Sequence, residues 1–284
     1  MIEGDYRGRL APTPTGYLHR GHARTFLTAQ ERARSHGGKL ILRVEDLDRD
    51  RCKSEFVDAL LDDLSWAGLS WDEGPDVGGP FQSYYQSERL EHYRETWDRL
   101  RGSETVFPCD CSRKDVRLAT QAPHSEGGEL IYPGVCRDKP FDFEDEETAL
   151  AVNWRFRVPA GETISFEDGN YGHKEFLVGR DFGDFLIWRK DGIPSYELAV
   201  VADDIAMRVT EVVRGEDLLM STARQLLLYE ALGVKPPAFY HCPLIRDNDG
   251  RRLAKRDKAA SLRELRQVGF DSSLLGPKGA SSQL

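Results

Sequence analysis

Two histidines and a glycine lie close together near the start of the chain, in the segment His19-Arg20-Gly21-His22. The segment follows the run Pro12–Gly16, in which two prolines and a glycine end a strand and force a turn. A helix is predicted to begin just after Gly21. Backbone N–H groups at a helix start, a glycine that admits a ligand and two donor imidazoles favour contact with a nucleotide phosphate, and an ordinary turn is the alternative.

A cationic segment lies far downstream, at Arg252-Leu253-Ala254-Lys255-Arg256. A loop lysine flanked by guanidinium groups can neutralise the charge that builds up on a triphosphate during adenylyl transfer. An exposed cationic turn is the alternative. Basic side chains recur from Arg246 to Arg266, so this stretch is also the candidate patch for an RNA backbone, with a solvated helix face as the alternative.

The cysteines are Cys52, Cys109, Cys111, Cys136 and Cys242. An odd number in a chain that begins without an export signal favours metal binding over a disulfide framework. The three clustered thiolates can take three corners of a tetrahedral zinc site, and either Tyr132 or His124 can supply the fourth ligand. Three buried free cysteines are the alternative.

The surrounding elements alternate between helix and strand. Apolar residues recur at helical spacing over residues 23–33, 56–64 and 90–100, and Leu40–Val44 is typical of a buried strand. This alternation predicts an α/β fold, a parallel sheet with helices on its faces. Residues 107 to about 190 differ, with alternating strands and a turn near Asp191-Gly192, and they are predicted to form an insertion.

Together, the histidine and lysine segments resemble the two signature motifs of class I aminoacyl-tRNA synthetases. Residues 9–25, Leu42–Asp48 and Val213–Asp217 are similar to the glutamyl branch of that class. The resemblance implies a Rossmann-type parallel sheet split by a zinc-containing insertion that is similar to an acceptor-binding domain, with a short helical C-terminal region. Four segments are therefore predicted: residues 1–106 and 196–240 form the two halves of the catalytic domain, 107–195 the insertion, and 241–284 the lysine loop, a helical stem and a flexible tail.

The resemblance also implies roles for individual residues. Amino-acid binding is expected at Arg9, Ala11, Thr13, Glu45, Tyr196 and Arg214. ATP binding is expected at His19, Gly21, His22 and Lys255, and of these His19, His22 and Lys255 are expected to be catalytic. Glu45 suits the ammonium group of glutamate, and the fork-like donors of Arg9 and Arg214 suit its carboxylates. Tyr196 would add a hydroxyl and a flat wall. Structural ion pairing is the alternative for each of these residues.

In the subgroup resembled, Cys-x-Cys followed by Tyr-x-x-x-Cys is a structural zinc site. This implies one Zn²⁺ per chain, held by Cys109, Cys111, Tyr132 and Cys136. A closed site with four protein ligands activates no water. Mg²⁺ is expected to accompany ATP.

The sequence ends soon after the lysine loop, so an anticodon-reading domain like that of the longer enzymes is not expected. The chain therefore most resembles their truncated paralogues, the glutamyl-queuosine tRNA(Asp) synthetases, which attach glutamate to the queuosine base in the anticodon of tRNA(Asp). Val200, where the longer enzymes usually carry asparagine, agrees with this. A fragment that charges tRNA(Glu) and a silent RNA-binding module are the alternatives. Ala254 and Arg256 replace the usual serines beside Lys255, which leaves loop closure open.

Composition sets limits on the partners. The chain has 39 basic and 48 acidic residues and a formal charge of −9, so an RNA partner requires a local basic patch. No apolar run approaches the roughly 18 residues of a membrane helix. A monomeric cytoplasmic enzyme is expected.

Overall fold

A computed structural model describes residues 6–112, 114–116, 131–245 and 260–276. The chain forms two compact units, and each is built from separate stretches of sequence. The first unit comprises Met1–Arg89, Met207–Leu218 and Pro237–Leu284, and the second comprises Leu90–Ala206 and Leu219–Pro236. The four predicted segments have other bounds, and that division stays a prediction.

The strands are β1 (Arg7–Leu10), β2 (Lys39–Leu42), β3 (Val106–Cys109), β4 (Asn153–Phe156), β5 (Thr163–Asp168), β6 (Gly172–Leu177), β7 (Phe185–Trp188), β8 (Glu211–Gly215) and β9 (Ala238–Cys242). The α-helices are α1 (Arg20–Ser35), α2 (Ser54–Trp66), α3 (Leu90–Gly102), α4 (Glu146–Leu150), α5 (Tyr196–Ala206), α6 (Leu219–Ala231) and α7 (Leu262–Gln267). None of the helices in the described ranges is long and apolar enough to cross a membrane.

The first unit contains the predicted parallel sheet. Strand β1 pairs in parallel with β2, and β8 pairs in parallel with β9. The N–H of Thr210 donates to the carbonyl of Arg7 at 2.9 Å, which places β8 beside β1. Both strand pairs of this unit are parallel and lie next to each other, and the predicted α/β architecture is confirmed here.

Apolar faces of α1 and α2 cover this sheet. Phe26 and Ala29 of α1 and Leu60 and Leu64 of α2 belong to the same buried cluster as Leu42 of β2. The helical spacing that predicted both helices arises because only residues three or four positions apart share a face. The two helices and the buried strand β2 are confirmed.

The second unit contains an antiparallel sheet of order β3-β4-β7 and a hairpin formed by β5 and β6. Trp97 of α3 packs edge-on against Trp154 of β4, with 5.2 Å between ring centroids. Helices α5 and α6 are linked by a hydrogen bond of 2.9 Å from Gln225 to Glu197. The predicted turn after β7 is confirmed, since the N–H of Gly192 donates to the carbonyl of Arg189 at 3.0 Å.

Candidate functional site

His19 and His22 form a reciprocal cap at the start of α1. Nδ1 of His19 accepts a hydrogen bond from the N–H of Gly21 at 3.1 Å, and Nδ1 of His22 accepts one from the N–H of His19 at 3.3 Å. The two rings stack with centroids 3.7 Å apart. Because His19 caps the helix, α1 begins at Arg20 rather than after Gly21 as predicted.

This cap selects the tautomer of the two rings in their neutral form. A neutral imidazole carries one N–H, and since both Nδ1 atoms accept, the proton of each neutral ring resides on Nε2. A Cβ at Gly21 would lie 3.0 Å from Cε1 of His19, which is a tight contact, so glycine leaves room for the capping ring. The predicted pair is therefore a preset arrangement in which Nε2 of each ring is the donor atom.

Arg9 lies on β1, and Glu45 follows β2, the strand that pairs in parallel with β1. The N–H of Glu45 donates to the carbonyl of Pro12 at 3.0 Å, so the chain segments after β1 and β2 meet. Nη1 of Arg9 donates at 2.9 Å to the carbonyl of Val213, the residue before Arg214. Arg9, Glu45 and Arg214 are all buried. The structure thus brings three predicted residues to one edge of a sheet, where ligands of open α/β folds bind.

Two partners of these residues were not predicted. Arg43 is fully buried and donates from Nη2 to Oε1 of Glu45 at 3.2 Å. His241, also fully buried, lies with Nε2 at 3.2 Å from Nε of Arg214. In the sequence, both are charged or polar residues within an otherwise apolar strand, and that pattern could have indicated a functional role.

Of the other residues predicted to bind glutamate or ATP, the structure describes three. Ala11 is half-buried and Thr13 is exposed, both after β1. Tyr196 is the first residue of α5 in the second unit and is 39% exposed. Lys255, with Ala254 and Arg256, lies outside the described residues, as do His124 and the tail after Gly276.

The chain from Ser261 onward lies beside the histidine segment. Ser261 forms an antiparallel bridge with His19, and the N–H of Leu262 donates to the carbonyl of Leu18 at 2.7 Å. Ser261 also caps α7, since its hydroxyl oxygen accepts from the N–H of Glu264 at 3.2 Å. Backbone hydrogen bonds therefore hold the described chain at Ser261 and Leu262 beside the histidine segment.

The three clustered thiols form a compact group in the second unit. The sulfur atoms of Cys109, Cys111 and Cys136 lie within 4.8 Å of one another. The hydroxyl oxygen of Tyr132 lies 3.5 Å from Sγ of Cys109 and 3.8 Å from Sγ of Cys111. Sulfurs bound to one tetrahedral zinc at about 2.3 Å lie about 3.8 Å apart, so these four atoms fit the ion.

Polar neighbours surround the thiols. Nε of Arg155 donates to Sγ of Cys109 at 3.3 Å, and Sγ of Cys136 donates to Oδ1 of Asp110 at 3.2 Å. Burial alone would raise the pKa of the Cys109 thiol, but its contacts with Tyr132 and Arg155 hold that pKa below the usual value. Burial and the contact with Cys136 instead raise the pKa of Cys111 to about 12, so the surroundings favour the metal-binding thiolate form at Cys109 alone of these two.

Comparisons with known proteins agree with this geometry. Residues 5–275 match the family described as tRNA synthetases class I (E and Q), catalytic domain. A protein named Glutamyl-Q tRNA(Asp) synthetase from Nitratidesulfovibrio vulgaris is 46% identical over 269 residues, which cover 94% of this chain and 83% of that protein. A protein of the same name from Symbiobacterium thermophilum is 48% identical, with 92% and 81% covered.

The crystal structure of a glutamate tRNA ligase from Elizabethkingia meningosepticum, in complex with its amino acid, has a similar fold. It superposes with a TM-score of 0.78 at 31% sequence identity. The match covers 94% of this chain and 53% of that one, so the present chain spans about half the length of the ligase.

Proposed function

Because the chain belongs to the class I tRNA synthetases for glutamate and glutamine, we propose that it activates L-glutamate with ATP and transfers it to the queuosine base in the anticodon of tRNA(Asp). The observation that carries the proposal is the buried set of Arg9, Glu45 and Arg214 at one sheet edge. The names of the two relatives that match more than four-fifths of their own length support the acceptor.

The buried charges suit glutamate as the amino acid. A guanidinium group bonds a carboxylate through two parallel N–H donors, whereas glutamine offers one uncharged oxygen. We assign the carboxylates of the substrate to Arg9 and Arg214, and its ammonium group to Glu45. Ala11 and Thr13, which follow Arg9 in the chain, complete this proposed pocket, and Tyr196 of the second unit keeps its predicted role in amino-acid binding. Arg43 would orient Glu45, and His241 would orient Arg214, since each lies at 3.2 Å from its partner.

The histidine cap suits the phosphates of ATP. With Nδ1 of His19 and of His22 accepting from backbone N–H groups, each neutral ring presents its proton at Nε2, from which it can donate to a phosphate oxygen. Gly21 lets the nucleotide approach the backbone at the helix start, where the partial positive charge of α1 favours an anion. Lys255 would stabilise the transferring phosphate, and Mg²⁺ would enter with ATP.

The proposed reaction has two steps. The glutamate carboxylate attacks the α-phosphorus of ATP, which forms glutamyl-adenylate and releases pyrophosphate. A hydroxyl of the queuosine ring then attacks the activated carbonyl and releases AMP. Orienting two bound reactants lowers a barrier by roughly 7–11 kcal/mol, so no side-chain nucleophile is required.

The cysteine group is proposed as a structural zinc site. Cys109, Cys111, Tyr132 and Cys136 would supply all four ligands, which leaves no open position for water or substrate. Zinc bound there would cross-link the chain around β3. One zinc per protein chain is the expected result of metal analysis on the purified protein, and a metal-free protein that keeps its fold and activity would exclude the site.

Transfer of labelled glutamate tests the acceptor. An anticodon stem-loop of tRNA(Asp) that carries queuosine should accept glutamate, although it has no acceptor end. The matched control is the same stem-loop with guanosine at that position, which should accept none. The similarity to a glutamate tRNA ligase at 31% identity favours tRNA(Glu) as the second candidate acceptor. Labelling of tRNA(Glu) without labelling of the stem-loop would make that candidate the correct one.

A further inference from the structure

Arg155 is a buried cation beside the cysteine group, and its position is set by the sheet. It lies on β4, which pairs with β3 in the register Phe107 to Arg155 and Cys109 to Asn153. On the other side of β4 the register with β7 shifts between Trp154 and Arg155. Such bulges bend a strand and redirect a side chain.

Three contacts hold the guanidinium group of Arg155. Nε donates to Sγ of Cys109 at 3.3 Å, Nη1 donates to the carbonyl of Asp184 at 3.1 Å, and the guanidinium carbon lies 3.9 Å from the centroid of the Tyr132 ring. The residue is only 8% exposed. The Arg155 side chain therefore contacts two of the four proposed metal ligands, and it is also hydrogen-bonded to the backbone at Asp184.

The charge of a loaded site explains why a cation is placed here. Three thiolates around one Zn²⁺ leave a net charge of −1, and a deprotonated Tyr132 would make it −2. An uncompensated charge in a buried site is costly, and hydrogen bonds from outer residues also hold metal ligands in the orientation they need. The N–H of Cys136 donates to the hydroxyl oxygen of Tyr132 at 2.8 Å, which leaves that oxygen oriented as an acceptor on this side.

We infer that Arg155 is a positioning residue of the metal site, which neutralises the charge of the loaded cluster and orients Cys109 and Tyr132 for binding. This inference rests on the zinc site proposed above. Lys139 provides a contrast, because it is a cation near the same cluster that pairs with Asp110 and has a side chain 47% exposed. Solvent screens an exposed charge, so Lys139 contributes little to the buried thiolates.

Zinc affinity, measured by competition with a chromophoric chelator, tests the inference. Arg155→Met removes the charge at similar volume and should weaken zinc binding by about 10- to 100-fold, the usual effect of losing an outer-shell partner. Arg155→Lys keeps the positive charge but not the forked donors of the guanidinium group. Its zinc affinity should lie between those of Arg155→Met and the parent protein. The control variant Lys139→Met should bind zinc within about twofold of the parent.

Two further measurements separate positioning from general stability. Cobalt substituted for zinc gives thiolate charge-transfer bands, and Arg155→Met should shift them, because Sγ of Cys109 loses its donor. The rise in melting temperature on adding zinc should be smaller in Arg155→Met than in the parent. A purely structural role would instead lower the melting temperatures of the metal-free and loaded proteins equally.

The outcomes distinguish the two proposals. A parent protein that binds neither zinc nor cobalt would remove the metal site, and the role of Arg155 with it. A parent that binds zinc together with an Arg155→Met variant of equal affinity and unchanged cobalt spectrum would overturn the role of Arg155 alone. If Arg155→Met fails to fold, Arg155→Lys carries the same comparison.

Discussion

The two candidate sites are held in place by apolar cores of different size. In the first unit, Arg9, Glu45 and Arg214 lie along a parallel sheet with a large apolar core beneath it. In the second unit, the thiols share a small buried cluster with Phe107, Val116 and Tyr132. The sheet can hold its charged residues in place before any substrate binds. The small cluster buries too little apolar surface to do the same, so we expect the metal to supply its rigidity.

The largest effect should follow from Cys109→Ser. Structural zinc in small sites is bound with about 10–16 kcal/mol of apparent free energy, so losing a ligand should abolish stoichiometric zinc. Hydrogen exchange should then rise in residues 107–112 and 131–136 while β1 and β2 stay protected. Cys242→Ser is the control, since Cys242 is a buried cysteine outside the cluster and its loss should leave the zinc content unchanged. Equal loosening of β1 and β2 would contradict the contrast between the units.

Arg214→Ala should have the next largest effect. Leaving a buried carboxylate without its charged partner costs about 3–5 kcal/mol, so glutamate-dependent pyrophosphate exchange should fall about 100-fold or more while ATP affinity changes little. Arg214→Lys keeps the charge without the fork and should recover part of the activity. The control is Arg94→Ala, because Arg94 is exposed and pairs with Glu91 at 3.5 Å. This variant should leave glutamate-dependent pyrophosphate exchange unchanged. An unchanged glutamate dependence would show that the pocket lies elsewhere.

Glu211→Gln should destabilise the first unit by about 2–3 kcal/mol. Its carboxylate accepts two bonds from Arg32, at 2.6 and 2.7 Å, and one from Tyr6 at 2.7 Å. Burial works to raise the pKa of Glu211, but these bonds outweigh it and hold the pKa below its usual value. The stabilisation is therefore present above the unfolded pKa and is lost as pH falls through the folded one.

Hydrogen exchange of β1 and β8 against pH measures this effect. The difference in the free energy of opening between the parent and Glu211→Gln should have its full value at pH 7. It should decrease below about pH 4, where the carboxyl group of the unfolded chain protonates. The exposed Glu91 supplies the control Glu91→Gln. A difference that does not change with pH would mean that the charge of Glu211 contributes nothing.

The smallest effect, and one of opposite sign, is expected for Asp63→Asn. Burial raises the pKa of Asp63 to about 6, although Arg263 at 3.9 Å opposes the rise. Its stabilising contribution is full below the unfolded pKa near 4 and is lost as pH rises through about 6. Asp63→Asn should therefore stabilise the protein by about 1–2 kcal/mol at pH 7 and by nothing at pH 4.

Asp62→Asn is the matched control in chemical denaturation at both pH values. Asp62 is the exposed neighbour of Asp63 on the same helix and pairs with Arg266 at 2.8 Å. Exposed pairs contribute about 0–1 kcal/mol, so this variant should be neutral or slightly destabilised at pH 7. Stabilisation of both variants alike would assign the effect to net charge rather than to the burial of Asp63.

Sequence patterns predicted the elements of this fold better than the partners of its buried charges. Helices α1 and α2 and strand β2 follow from local periodicity, which depends only on neighbours in the chain. The start of α1 was misplaced because histidine is not among the usual capping residues. Arg43, His241 and Arg155 were missed because their roles depend on contacts between strands that sequence spacing does not reveal. Val200 is buried within α5, and its predicted bearing on the acceptor is untested.

The contact between β1 and the residue before β8 also bears on how the protein forms during synthesis. The N–H of Arg7 donates to the hydroxyl oxygen of Thr210, a residue 203 positions later in the chain. A ribosome adds about 5–20 residues per second, so β1 emerges roughly 10–40 seconds before its neighbour exists. During that interval one side of β1 is an unpaired edge, which is a template for aggregation. Until β8 is synthesised, this side of β1 is exposed to pairing with other chains.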